Sequence, residues 1–373
     1  MAKDLKRRNF LRASGAALTT AAIAGCAGNG NGNGNGNGNG NGNGNGNGNG
    51  NGNGDADPFP DGTLTAVNHF SEGGGLDNNF REIQPHWEDE LGGTFQQQYQ
   101  PGAGTRNGMS FMLNNADTDM HTIGITDAVS MASARAFDLE DDTRDPVYEP
   151  DDFAFIGTLT SEVTILRIRE DEDRFTTFGE FVDYAQDNPD DVVMGTSGPT
   201  NRFALAGIQL LEEIGVDMRI VPYDGGSPVQ TALLQGEVDV IPRGVYNSRG
   251  IEDDSIAIAM YWDENNWPEI TNDAPLINEE LGSDIPYEPS VGANVYYTQA
   301  EAAENHPDRY DTMVETFQAA AQSDGYLETL DAVDEFERDK VDPLDPDGAR
   351  QFVEDTIDTY RDFVPLFQEY VEN

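Results

Sequence analysis

Three short loops hold most of the residues whose types and spacing suggest chemistry. They read Ser71-Glu72-Gly73-Gly74-Gly75-Leu76-Asp77, Thr196-Ser197-Gly198-Pro199-Thr200-Asn201-Arg202 and Tyr223-Asp224-Gly225-Gly226-Ser227-Pro228. Each follows a strand-like run and precedes apolar residues at helical spacing. A helix start carries N–H groups without intrahelical partners and the positive end of the helix dipole. Glycine removes side-chain bulk, so a ligand can approach that backbone. The chemistry implied is capture of an anion, carboxylate or phosphate, by amides and hydroxyls. Gly74, Gly75, Asp77, Ser197, Thr200, Arg202, Tyr223, Gly225 and Gly226 are expected to line one cleft. Ser197 and Tyr223 would add hydroxyl donors, and Arg202 has the fork geometry for a carboxylate. Asp77 cannot attract an anion, so it is expected to accept from a ligand hydroxyl, a water or loop amides. Arg243, in Pro242-Arg243-Gly244, follows a strand end and is a further candidate. The alternative readings are geometric turns, ordinary helix caps and ion pairs between these arginines and surrounding acids.

Catalytic and metal chemistry find little support. The four histidines, His69, His86, His121 and His306, do not stand at metal-ligand spacing with one another. There is no G-x-S-x-G elbow, H-E-x-x-H motif or Walker loop. His69, just before the first loop, is either a general base or a structural histidine at a strand end. Acidic runs such as Asp151-Asp152 and Glu170-Asp171-Glu172-Asp173 read as solvated faces or weak cation sites. No catalytic residue, metal or cofactor is expected.

The loops need elements to position them. Extended runs are expected at 63–70, 94–100, 121–126, 153–160, 163–168, 192–196, 219–222, 237–241, 255–262 and 291–298. Helical spacing marks Phe80, Ile83, Trp87 and Leu91, with a kink expected at Pro85. Further helices are expected after Pro101-Gly102-Ala103-Gly104-Thr105 to about Leu113, and over 178–185, 203–214, 229–235, 307–323, 325–330 and 347–370. Strand–loop–helix repetition predicts an α/β fold with largely parallel sheets, in which ligands bind at the carboxyl ends of strands.

The 373 residues carry 21 basic and 69 acidic side chains, a net charge of −48. Beyond residue 26 only 16 basic residues remain against 68 acidic, and Lys340 is the one lysine among them. Such a surface excludes nucleic acid as a partner and disfavours an anionic membrane face. It reads as a folded protein adapted to high salt, where counterions screen the carboxylates. The N-terminus reads as an address. Lys6-Arg7-Arg8-Asn9-Phe10-Leu11-Arg12 and a small apolar stretch resemble a twin-arginine (Tat) export signal. Ile23-Ala24-Gly25-Cys26 resembles a lipobox, and Cys26, the sole cysteine, would be the lipidated residue. Asn and Gly then alternate to Gly54, a flexible tether with a reach of about 30 Å. The protein is therefore expected outside the cytoplasm, held to the membrane by a lipid anchor only, and monomeric.

The stretch Val221-Pro222-Tyr223-Asp224-Gly225-Gly226-Ser227-Pro228, with Thr231-Ala232-Leu233-Leu234-Gln235-Gly236-Glu237-Val238-Asp239 after it, closely resembles a motif of tripartite tricarboxylate transporter substrate-binding receptors. Gly73-Gly74-Gly75-Leu76-Asp77, Pro101-Gly102-Ala103-Gly104 and Gly195-Thr196-Ser197-Gly198-Pro199 resemble the family's other loops, in order, over roughly residues 62–370. The resemblance implies a type II periplasmic-binding-protein fold, with two lobes and the ligand between them. Residues 55–160 and 285–373 would form lobe 1 and residues 161–284 lobe 2. It implies capture of a small tricarboxylate, dicarboxylate or similar anion, through backbone amides and hydroxyls, for a membrane permease. Two departures stand out. Glu72 brings an acid into the first loop, and Pro199-Thr200-Asn201-Arg202 replaces the family's usual Gly and Ser. An ABC-type receptor and a carboxylate-acting enzyme are the alternatives.

Overall fold

The computed structural model describes residues 59–371, apart from Asp142, Arg144, Asp224, Arg249, Glu288, Pro289, Ser290 and Glu335. The expected export signal, Cys26 and the Asn-Gly run lie outside the described residues. The chain opens with β1 (Thr63–Asn68), α1 (Gly75–Leu91), β2 (Thr94–Tyr99), α2 (Arg106–Asn115), β3 (Thr122–Asp127), α3 (Ala128–Leu139) and β4 (Phe153–Glu162). It continues through β5 (Thr164–Arg169), α4 (Phe178–Asp187), β6 (Val193–Thr196), α5 (Arg202–Ile214), β7 (Arg219–Pro222), α6 (Gly226–Gln235), β8 (Val240–Gly244) and β9 (Ser255–Tyr261). Two short helices follow, α7 (Pro268–Thr271) and α8 (Ile277–Leu281). Then come β10 (Gly292–Gln299), α9 (Ala300–Asn305), α10 (Pro307–Ala321), α11 (Asp324–Val333) and α12 (Pro346–Val371).

Two five-stranded sheets result, ordered β2-β1-β3-β10-β4 and β7-β6-β8-β5-β9. In the first, β1 pairs parallel with β2 and β3, while β10 runs antiparallel between β3 and β4. In the second, β6 pairs parallel with β7 and β8, while β5 runs antiparallel between β8 and β9. The expectation of largely parallel sheets is thus corrected: half the pairings are antiparallel. Every antiparallel pair involves β5, the strand by which the chain enters the second sheet straight after Val163, or β10, the strand by which it returns to the first.

Each sheet has its own core. Leu64, Phe80, Ile83, Trp87, Ile123, Tyr296 and Phe317 pack in the first lobe, and Leu166, Phe178, Met194, Leu205, Leu211 and Ile258 in the second. α12 serves both. Its Ala349, Val353 and Ile357 join the core beside β10, while Tyr360, Val364 and Phe367 join the second lobe's core.

Two local expectations change. α1 runs through Pro85 as one helix, so no irregular turn forms there. α3 was not foreseen, because Ala128-Val129-Ser130-Met131-Ala132-Ser133-Ala134 is buried along its whole length and shows no apolar stripe. Among the described residues no helix is long and apolar enough to cross a membrane, and no group of three metal-ligating side chains occurs.

Candidate functional site

The first lobe supplies the loop between β1 and α1. Gly74, the N-cap, is extended at φ −80° and lacks a side-chain cap bond. The first helical bond runs from the Asn78 amide to Gly74 O at 3.0 Å, so the preceding amides have no intrahelical partner. Asp77 sets the loop's shape. It accepts from the Gly73 amide at 2.8 Å, Arg81 Nε at 3.0 Å and Tyr99 Oη at 2.9 Å. Burial opposes its ionisation, but these hydrogen bonds and Arg81 outweigh burial and hold its pKa below the ordinary value. Glu72, the acid out of place in this loop, pairs with Arg81 at 3.1 Å, which blunts its charge.

The second lobe supplies two helix starts, and they differ. α6 begins at Gly225, whose φ of 105° suits glycine, and it has no side-chain cap bond among the described residues. α5 is capped by its own sequence, with Asn201 Oδ1 accepting from the amides of Phe203 at 3.1 Å and Ala204 at 3.0 Å. Of the three expected anion-binding ends, α1 and α6 are open and α5 is occupied. Ser197 Oγ accepts from Asn201 Nδ2 at 3.0 Å. The lobes meet at these loops. Ser227 Oγ donates to Gly73 O at 3.4 Å, and a Cβ on Gly75 would fall 1.9 Å from Asn247 Oδ1.

Between them lies an inner cavity of about 340 Å³, lined by Gly74, Gly75, Ser197, Arg202, Gly225, Gly226, Arg243 and others. Its two arginines have separate duties. Arg202 is 5% exposed, ion-paired with Glu162 and stacked on Phe203 with its Cζ 4.3 Å from the ring centre. A Cβ on Gly292 would stand 2.3 Å from Arg202 Cζ. Arg202 therefore wedges between the end of β4 and the start of β10, where the chain leaves the first sheet and returns. It forms a buried ion pair at the crossing between the two sheets rather than a surface pair. Arg243, also 5% exposed, donates through Nη2 to Asn247 O at 2.7 Å, and its Nε has no partner among the described residues. Burial lowers its pKa to about 10 against the pull of Glu162, so it remains cationic at neutral pH. Asp127, the N-cap of α3, accepts from the Ser130 amide and hydroxyl at 2.8 and 2.9 Å. Burial raises its pKa despite Arg202 and those bonds.

A larger outer cavity of about 700 Å³ adjoins the first. It holds Thr200 and Tyr223, with the Pro101–Arg106 loop and His69. Ser197 and Gly225 line both cavities. Asp77 lines neither and acts from behind the loop. His69 is buried just after β1. It contacts Tyr297 Oη through Nε2 at 2.9 Å, and burial lowers its pKa to about 3, leaving it neutral. Sequence reasoning missed Glu162, Asn247, Asp127 and Asn294, which also line the inner cavity. They carry no motif; the folded path alone brings them there.

Residues 79–248 match the family model described as "Tripartite tricarboxylate transporter family receptor". A UPF0065 protein from the tcbD-tcbE intergenic region of Pseudomonas sp. (strain P51) is 26% identical over 191 residues, 51% of this chain and 55% of that protein. The match thus spans about half the length of that curated relative. Among solved structures, the periplasmic binding protein BugD superposes with TM-score 0.70 at 20% identity, over 83% of this chain and 98% of its own. MatC from Rhodopseudomonas palustris, solved with bound malate, gives 0.66 at 20% identity over 82% and 99%. An R. palustris protein solved with adipate gives 0.69 at 18% identity over 83% and 98%. The architecture is the two-lobed periplasmic-binding-protein fold.

Proposed function

We propose that this chain is a substrate-binding receptor of the tripartite tricarboxylate transporter family, holding a small organic carboxylate between its lobes for delivery to a membrane permease. The family match over residues 79–248 supports this reading, and the solved structures with malate and adipate agree with it. The observation that carries it is local. Two uncapped helix starts, α1 and α6, face one inner cavity from opposite lobes, with the buried cation Arg243 between them. In this reading a carboxylate takes the amides at Gly75 and Gly226 and the unpartnered Nε of Arg243. Ser197 adds a hydroxyl donor while its Oγ goes on accepting from Asn201. Thr200 and Tyr223 border the entrance, while Asp77 and Arg202 hold the lobes in shape. Such a site binds and releases; it needs no catalytic residue or cofactor.

Residues 55–160 with 285–373 are assigned to the first lobe and 161–284 to the second. The resemblance of the N-terminus to a Tat signal and of Ile23-Ala24-Gly25-Cys26 to a lipobox supports a lipid-anchored receptor outside the cytoplasm, and the acidic excess supports adaptation to salt; the receptor is taken to act as a monomer. Cys26→Ser then releases the protein from membranes or leaves an uncleaved precursor; wild-type fractionation and migration would contradict the anchor. The ligand reading is tested by thermal-shift screening in molar KCl against carboxylates, phosphates and neutral sugars, then by calorimetric titration. Stabilisation confined to carboxylates is expected. A response to phosphates or neutral sugars alone would overturn it.

A further inference from the structure

We propose that the outer cavity is a second ligand subsite, and that the receptor takes an elongated carboxylate whose far end carries a neutral hydroxyl or carbonyl group. This rests on the reading that the inner cavity holds a carboxylate. The two cavities share Phe70, Ser71, Ser130, Ser197, Asn201 and Gly225, so one molecule can extend from the first into the second. Arg243 and the α6 start at Gly226 belong to the inner cavity and not the outer.

The outer wall is built differently. Gly102, Ala103, Gly104 and Thr105 take four successive positive φ values, 107°, 51°, 60° and 71°. A β-branched residue such as Thr105 seldom adopts that conformation. The turn brings Thr105 and Arg106 to the cavity beside His69. Thr105 is 3% and His69 1% exposed, and Thr105 Oγ1 and His69 Nδ1 have no hydrogen-bond partner among the described residues. Buried polar atoms normally have partners, so two orphans around one cavity mark a place where a ligand group supplies them. The side chains there carry no uncompensated charge. His69 is uncharged, and Arg106 is ion-paired with the buried Asp138 at 2.8 Å and donates to Ala134 O at 2.7 Å, with only its Nε lacking a partner among the described residues. A second carboxylate would give up its water there without gaining an uncommitted cation, whereas a hydroxyl or carbonyl finds partners at little desolvation cost.

The test compares three six-carbon probes on the full chain in molar KCl: 6-hydroxyhexanoate, hexanoate and adipate. The hydroxy acid is expected to bind at least tenfold tighter than either of the others. Thr105→Val should abolish that preference while leaving hexanoate affinity unchanged, and Thr105→Ser should retain it. Equal affinity for hexanoate and 6-hydroxyhexanoate overturns the subsite and leaves the carboxylate reading standing, as does tighter binding of adipate. Failure of all three to bind overturns both.

Discussion

Replacing Arg243 by Met separates binding from folding, because the two effects have opposite signs. The side chain is 5% exposed, with one guanidinium bond to Asn247 O and an unpartnered Nε. A hydrogen bond between charged groups contributes about 1.5–3 kcal/mol, so its loss should weaken carboxylate binding roughly 10- to 150-fold. Stability runs the other way. The folded pKa of about 10 lies below the ordinary arginine value, so the folded state holds this proton less well than the unfolded chain. For a basic group, that depression means the charge costs stability at neutral pH, and the cost fades only as pH rises through about 10. At about 1.4 kcal/mol per pKa unit, the cost removed by an uncharged side chain is on the order of 3 kcal/mol. Losing the bond to Asn247 returns about 1 kcal/mol of this. Arg243→Met should therefore melt at or a few degrees above the wild-type temperature without ligand, yet bind at least tenfold more weakly by calorimetry. Affinity within twofold of wild type would refute the contact with carboxylate. A joint loss of affinity and melting temperature would show that Arg243 is structural.

Ser197→Ala should cost about 0.5–1.5 kcal/mol of binding, or up to about 3 if the hydroxyl meets the charge directly; calorimetry showing no change would remove Ser197 from the site. Asp77→Asn should destabilise the protein by about 1–3 kcal/mol at neutral pH, because it weakens the hold on Gly73, Arg81 and Tyr99. The folded pKa of Asp77 is depressed, so its contribution is present above about pH 4 and lost as pH falls below that. The melting-temperature gap between wild type and variant should narrow on acidification, and a constant gap would contradict the mechanism. With a net charge of −48, the fold should lose stability as salt falls from molar toward tenth-molar, where the screening length reaches about 10 Å; a flat melting temperature over that range would overturn the salt reading.

What was legible in the sequence followed from local signals. The run Arg219–Pro222 is strand-like in sequence and followed by a glycine-rich turn, and β7 has those bounds. Gly225 and Gly226 stand at the start of α6, where the loop and the apolar spacing after it mark a helix beginning. Asn201 stood in the quoted loop, yet its role as a cap that closes α5 to a ligand depends on a side-chain rotamer. Glu162 was invisible for another reason. Its partners Arg202 and Asn247 are 40 and 85 positions away, and only the crossing at Val163 brings them together. α3 escaped because its small buried residues give no contrast between faces.

The placement of α12 bears on how the chain reaches its folded state. Its first half completes the packing beside β10, and its second half completes the packing over α5 and β9. During synthesis neither lobe can close its interior until residues 346–371 have left the ribosome. Until then the apolar walls that α12 covers in both lobes lack their partner. The lobes share one last structural step, and they should melt in one cooperative transition rather than two. A stop codon ahead of Pro346 would not trim a peripheral helix; it would leave two incomplete interiors.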